Sequence, residues 1–442
     1  MMKQEMIKQF FIVLFSIAGL VYKAQSQDTL TISQPELIQQ ILDNNLQVKA
    51  ANKQVDMARA DYSQSNALFL PSVTASHTAM FTNNPLMAFG SKLNQEILTP
   101  ADFDPNLLNN PSRIDNYATE IQVLQPLFNL DGTYERQAAK IQSEAYELQV
   151  GRTKEYLELE GSKAYMQLQL AYKVVEVLEK AENTSSAGLT LISDYYDEGL
   201  VQKTDVLAIQ VRKREVENQL RQARSNIRNV SDYLSLLMGE KASEKIYKPA
   251  GQITAMLDEG TYLVVVPTFR KDLNAMSKSV EGYEKILKSN KVTSLPRINA
   301  FGSYQLYDNQ PFGFGANGYL VGVRLSWNLF NGYKNIGKIH KAKAELEKAQ
   351  IEKENYQIQS QLELNKAYRQ LADAEAKVTL SKEVLNQSTE AYRIRKDRFA
   401  EGLEKTTDVL ASETQMFQKE LEYLQAMFEY NFTKEYLRFL TR

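Results

Sequence analysis

Glu198-Gly199-Leu200 followed by Thr204-Asp205-Val206-Leu207-Ala208 returns as Glu401-Gly402-Leu403 followed by Thr407-Asp408-Val409-Leu410-Ala411, each residue 203 positions from its copy. The offset extends upstream, where Ala164, Leu168, Ala171 and Val175 fall on Ala367, Leu371, Ala374 and Val378. It also extends downstream, where Ala223, Leu234 and Leu237 fall on Ala426, Leu437 and Leu440. Steps of four and three put these apolar residues on one stripe of a helix. Gly199 and Gly402 interrupt the stripes, as a left-handed C-cap requires, and Thr204 and Thr407 are placed to cap the helices that follow. Each copy is therefore predicted to be a helical hairpin with a tight glycine tip, and the chain a tandem repeat of long antiparallel helices.

Composition narrows the function. With 52 basic and 54 acidic residues the chain is nearly neutral, so nothing favours nucleic acid. There is no cysteine, which excludes disulfides and thiol nucleophiles. His77 and His340 are too few and too far apart for a histidine metal cluster. No nucleophile–base constellation appears, so neither an enzyme nor a cofactor is expected. Lys3 and Lys8 precede the apolar run Phe10–Val21, and Ala24 and Ser26 suggest cleavage before Gln27, so residues 1–26 read as a secretory signal. No later stretch resembles a membrane helix, and any membrane segment must then be made of strands.

Taken in order, residues from about 33 to 68 read as one helix, with Leu37, Ile41, Val48, Ala51, Val55 and Ala58 in a stripe. After Leu70-Pro71 the period becomes two. Val73, Ala75, His77, Ala79 and Phe81 share one face of a strand at about 72–82. The proline- and asparagine-rich stretch 83–115 reads as a long loop with, at most, short helical turns. A second strand covers about 116–128, with Tyr117, Thr119, Ile121 and Val123 on one face. Helix then runs from about 132 to 196, which at about 1.5 Å per residue is roughly 90 Å, and returns to about Met238. Residues 239–266 break the pattern and form a linker. Leu295-Pro296 mirrors Leu70-Pro71 and opens two more strands, about 297–307 and 318–330. In the last, Tyr319, Val321, Val323, Leu325, Trp327 and Leu329 face one way, a candidate aromatic girdle. A second long helix descends to Phe399 and returns to the C-terminus.

These lengths define two repeats, 27–238 and 267–442, each a helix, a β-hairpin, a long helix and a return helix. Four strands cannot close a barrel, and unpaired strand edges are forbidden in lipid. Copies of the chain must therefore pool their strands.

The tips, the two-fold helix–hairpin–helix–helix order and the leader resemble the TolC-type outer-membrane factors, the exit ducts of tripartite efflux and type I secretion systems. Asn44-Asn45-Leu46-Gln47-Val48 is similar to the family's Asn-Pro-containing first helix, with Asn45 in the proline place, and Arg270-Lys271-Asp272-Leu273 is similar to its Arg-Pro-Asp-Leu. The resemblance implies a mainly α fold with a membrane β-barrel portion. It implies a homotrimer in outer-membrane lipid, with a twelve-stranded barrel on a twelve-helix periplasmic tunnel. It also implies a periplasmic adaptor that contacts the tips at Gly199, Leu200, Gly402 and Leu403, and an inner-membrane pump of the RND or ABC type. The constriction candidates it transfers are Asp408, whose three copies would form a negative ring, with Asp205 and Thr204 of the first tip. The chain departs from the family at Phe399 (tyrosine expected), Glu404 (arginine expected) and Ala411 (a second aspartate expected), so a weaker or differently built gate is expected. A soluble periplasmic coiled-coil adaptor or scaffold, its hairpins folded into a small sandwich, is the reading from another class.

Three further motifs have simpler readings. The Gly-x-Gly-x-x-Gly of Gly313–Gly318 lacks the preceding buried strand and following helix of a dinucleotide site, so a hairpin loop is expected. His77 is expected on a barrel wall, and Asp102 and Asp104 in a solvated loop. Asp205 and Asp408 also suit the positive end of a helix dipole.

Overall fold

The computed structural model describes residues 29–241, 245–255 and 263–442. The predicted signal segment 1–26 lies outside the described residues, as do 242–244 and 256–262 of the linker. The first elements are β1 (Thr29–Ile32), α1 (Gln34–Asn44), α2 (Leu46–Gln64), β2 (Ser72–Thr82), α3 (Pro85–Asn94), α4 (Pro105–Asn109) and β3 (Ile114–Phe128). The first hairpin follows as α5 (Leu130–Asp197) and α6 (Lys203–Leu237), then β4 (Ile246–Pro249). The second repeat supplies α7 (Lys271–Val292), β5 (Arg297–Asp308), β6 (Ala316–Ser326), α8 (Lys334–Ala400) and α9 (Thr406–Leu440). The residues divide into two compact units.

One unit comprises residues 47–153 and 263–363 with the last two residues of the chain. Its four-stranded antiparallel sheet has the order β2-β3-β5-β6, so β2 and β6 are edges. The register sets Ala75 beside Ile121, Tyr304 and Tyr319, and Val73 beside Val123, Gly302 and Val321, on one face. Ser76, Glu120, Gln305 and Gly318 align on the other. Tyr319 is 83% exposed and Val321 75%, so the apolar face has no cover among the described residues. Below the strands, the buried Arg270 guanidinium donates to Asp272 (2.7 Å) and to Ser360 Oγ (2.6 Å), Arg152 approaches Asp272 at 3.2 Å, and Tyr356 donates its hydroxyl to the same carboxylate at 2.8 Å. Burial alone would push the Asp272 carboxyl up, but these donors and cations hold it below the usual carboxylate range.

The other unit comprises residues 29–46, 154–255 as described, and 364–440. Its core follows the predicted stripes. Ala164, Leu168, Ala367, Ala426, Leu234 and Leu437 are all buried, and Val177, Ala181 and Val216 pack with Phe417, Leu424 and Met427. Each large aliphatic side chain buried this way contributes about 1.5–3 kcal/mol.

Four expectations change. The first helix is two helices, because Asn45 adopts an extended ψ of 132° and its side-chain amide donates to Leu237 O at 2.7 Å. The 83–115 stretch is more ordered than a loop, since Asn84 caps α3 and Asp104 caps α4, each with proline in the first turn. The fourth strand ends at Ser326, not Phe330, because its partner β5 begins at Arg297, after Pro296, which has no N–H for a ladder; beyond it the Trp327 indole donates to Ser294 O at 2.9 Å. The second begins at Ile114, and its pairing shifts register between Pro126 and Phe128, where proline lacks a ladder donor. The short parallel pair β1–β4 was not expected; it lays part of the linker against the start of the chain, with Ile32 and Tyr247 buried. No helix among the described residues is long and apolar enough to cross a membrane.

Candidate functional site at the two helical tips

Both tips are built as the glycines imply. Gly199 has φ +79° and Gly402 φ +73°. At the first tip Leu200 N donates to Tyr195 O and Gly199 N to Tyr196 O; at the second Leu403 N donates to Arg398 O and Gly402 N to Phe399 O. These are paired Schellman closures, which satisfy the last carbonyls of α5 and α8. Leu200 is 66% exposed and Leu403 63%, so each turn presents one apolar side chain outward.

The caps of the return helices differ from the expectation. Helix α6 begins at Lys203, and Gln202, with extended φ −87° and ψ 161°, is its cap. Thr204 is already in the second helical position. Asp205 reaches back to accept from Gln202 N at 3.0 Å, forming a capping box. Helix α9 begins at Thr406, and Val409 N donates to Lys405 O at 3.3 Å, so Thr407 lies inside the helix as Thr204 does. Asp408 is half-buried in the first turn of α9. Both threonine caps therefore fail for one reason: each helix starts one residue before its threonine. The acidic first turns complement the helix dipoles.

Of the three positions that depart from the family pattern, one links the two tips. Phe399 joins Val201 and Leu410 around buried Ile192, Val206 and Ile209, with its ring 5.9 Å from that of Tyr195. An apolar contact thus links the two hairpins where a hydroxyl was expected. Glu404 accepts from Arg395 at 3.0 Å and from Arg398 at 3.1 Å, and Arg398 also donates to Leu403 O at 3.4 Å. Both its carboxylate oxygens are spoken for by its own hairpin. Ala411 is exposed.

Sequence reasoning passed over Glu413. This residue lies on the buried stripe of α9, one turn before Phe417, and is 3% exposed. It lines a cavity of about 490 Å³ walled by Leu191, Ile192, Ile209, Phe399 and Leu410. Burial pushes its carboxyl up to about 6, against the pull of Arg212 and Lys396. Burial, then the nearby Glu413 charge, pushes the Tyr392 hydroxyl up to about 12. An acidic residue in phase with an apolar stripe was the available signal.

The remaining candidates stay structural. His77 stands on the apolar sheet face, 2.8 Å from Thr119 Oγ1 and stacked 4.3 Å from Phe312. Gly313 and Gly315 lie in the loop that joins β5 to β6, closed by Asp308, which accepts from Gln310 N and Gly315 N, while Gly318 is already in β6. Asp102 pairs with Lys92, and Asp104 caps α4. Among the described residues no three His, Asp or Glu side chains gather as a metal site.

A model of the family described as outer membrane efflux protein matches residues 37–240 and 269–441. No curated protein matches the chain. Among solved structures, the fold is similar to the CmeC outer membrane channel of Campylobacter jejuni (14% identity, 96% of this chain and 90% of that one, TM-score 0.80). It is also similar to the outer membrane protein VceC of Vibrio cholerae (16%, 92% and 96%, TM-score 0.77). A third similar structure is the open state of the MtrE outer membrane channel of Neisseria gonorrhoeae (14%, 92% and 88%, TM-score 0.75).

Proposed function

We propose a working assembly for this chain, which belongs to the outer membrane efflux protein family: three copies form one exit duct, docked by a periplasmic adaptor and fed by an inner-membrane pump. Membership makes the chain an outer-membrane efflux channel with a periplasmic helical portion, and the soluble scaffold reading falls with it. The duct acts by passage and assigns no catalytic step to any residue.

The observation that carries the trimer is the register of the sheet. It gathers apolar side chains on one face and polar ones on the other, and leaves β2 and β6 as unpaired edges. In lipid such edges must be paired, and a sister copy supplies the pairing. Three copies of four strands give a barrel of twelve, with the Ala75–Ile121–Tyr304–Tyr319 row toward lipid. The repeats 27–238 and 267–442, joined by 239–266, would each contribute one hairpin of strands and one of helices. At the periplasmic end, Gly199, Leu200, Gly402 and Leu403 would face the adaptor, and three copies of Asp408, with Asp205 and Thr204 beside them, would ring the entrance. With Glu404 bound by arginines of its own hairpin, closure would rest on the apolar Phe399 contact.

Because the chain has no cysteine, the test is clean. Single cysteines placed in β2 and β6, together in one chain, are expected to give oxidised trimers that resist boiling without reductant. Capture of dimers only, or no capture in outer-membrane fractions, overturns the assembly.

A further inference from the structure

The two return helices, α6 and α9, share a core in which Val216 and Phe417 pack together, and one turn before each lies a buried charged side chain, Arg212 and Glu413. Glu413 Oε1 on α9 and Arg212 Nε on α6 are both buried and both lack a hydrogen-bond partner among the described residues. The acid nearest Arg212 is Glu215 on its own helix, at 4.0 Å, the outer limit of an ion pair. Other groups facing Glu413 are Lys396 and Tyr392 of α8, while α5 adds the uncharged Asn183 and Thr184 to the cavity wall. The cavity beside Glu413 leaves room for the hairpins to shift. A buried charge with an unmade hydrogen bond is unfavourable, so this packing is opposed by any other that joins the two groups.

We propose that Glu413 and Arg212 form a proton-controlled latch between the two tip hairpins: protonated Glu413 keeps them packed as described, and ionised Glu413 draws them into a second packing, bonded to Arg212, that widens the periplasmic entrance. The latch rests on the duct reading, since it sets how that entrance opens. Tyr392, pushed up to about 12, stays neutral in the working range. Neither His77 nor His340 lines the cavity. The sign follows from linkage. In the packed state the Glu413 carboxyl is raised to about 6 from its ordinary 4.5, so packing is favoured below pH 4.5 and loses that preference as pH rises to 6. A difference of this size changes the ratio of the two packings by about 30-fold.

Single-channel recording of the full chain in planar bilayers from pH 4 to 8 tests the latch. The open-to-closed ratio of the wild type should rise with pH between about 4.5 and 6 and then level off. Glu413→Gln should hold the acid-level ratio at every pH. Arg212→Gln should move the midpoint to higher pH and lower the plateau. A flat wild-type profile, or a Glu413→Gln profile that titrates like the wild type, overturns the latch. If Glu413→Gln does not assemble, an unmoved midpoint in Arg212→Gln overturns it instead. A wild type that makes no pore at any pH overturns the duct reading rather than the latch.

Discussion

Asn45 donates through its side-chain amide to the carbonyl of Leu237 at 2.7 Å, tying the break between α1 and α2 to the C-terminus of α6. Gly239 follows with φ +71°, and a Cβ there would lie 2.5 Å from Asn44 O. Asn45→Ala is expected to destabilise by about 1–3 kcal/mol, since a buried carbonyl loses its donor. Gly239→Ala should lower the thermal midpoint more than Gly199→Ala. Both residues have positive φ, which costs a residue with a Cβ about 1–2 kcal/mol, but only Gly239 also meets backbone. Equal midpoints for the two glycine variants would remove the Asn44 contact from this explanation.

Asp272 joins two arginines and a tyrosine in a largely buried cluster. Asp272→Asn strands those cations, and a loss of about 3–5 kcal/mol is expected. The carboxyl is held below its ordinary value, so its contribution is present above that ordinary value and is lost as pH falls through the folded one. The stability gap between wild type and Asp272→Asn, measured by thermal unfolding from pH 7 to pH 3, should therefore narrow only toward the acid end.

At the first tip the capping box uses Asp205 and not Thr204. Asp205→Ala should cost about 1 kcal/mol, and Thr204→Ala a few tenths at most. Amide exchange at the start of α6 reads the difference directly; faster exchange in Thr204→Ala than in Asp205→Ala would reverse the assignment.

On the sheet, Val321 lies in the apolar row and Gln305 in the polar one. Val321→Arg is expected to weaken barrel assembly by about 2–4 kcal/mol, as for a cation on a lipid-facing strand, whereas Gln305→Arg should be tolerated. Heat-modifiable gel mobility reports assembly. Equal tolerance at both sites would mean that the faces have been assigned the wrong way round.

Asp408 carries the proposed negative ring. Asp408→Ala should lower the cation-to-anion permeability ratio in bilayer recordings without reducing trimer yield. Unchanged selectivity would take the ring out of the constriction.

The repeat, the glycine turns and the two sheet faces were legible because each is a local pattern. A period of 3.6 or 2 selects helix or strand, and a closing turn with positive φ selects glycine. The tip residues Phe399 and Glu404 were legible as departures, but not for what they do. Arg395 and Arg398 hold Glu404 from the preceding helical turns, a choice of rotamer that spacing does not encode. Likewise, Thr204 and Thr407 look like caps in the sequence, yet each helix begins one residue earlier because the backbone turns at Gln202 and Lys405.

What the sequence determined by itself was the order and kind of the elements, since short-range sterics and apolar periodicity act along the chain. The tertiary structure alone decided where distant groups meet: the Leu237 carbonyl that receives the Asn45 amide at a helix break, the Ser294 carbonyl that receives the Trp327 indole, and the burial of Glu413 and Arg212 without a bond between them. Such pairings depend on which surfaces are desolvated together, and desolvation is a property of the packed molecule, not of any one stretch of it.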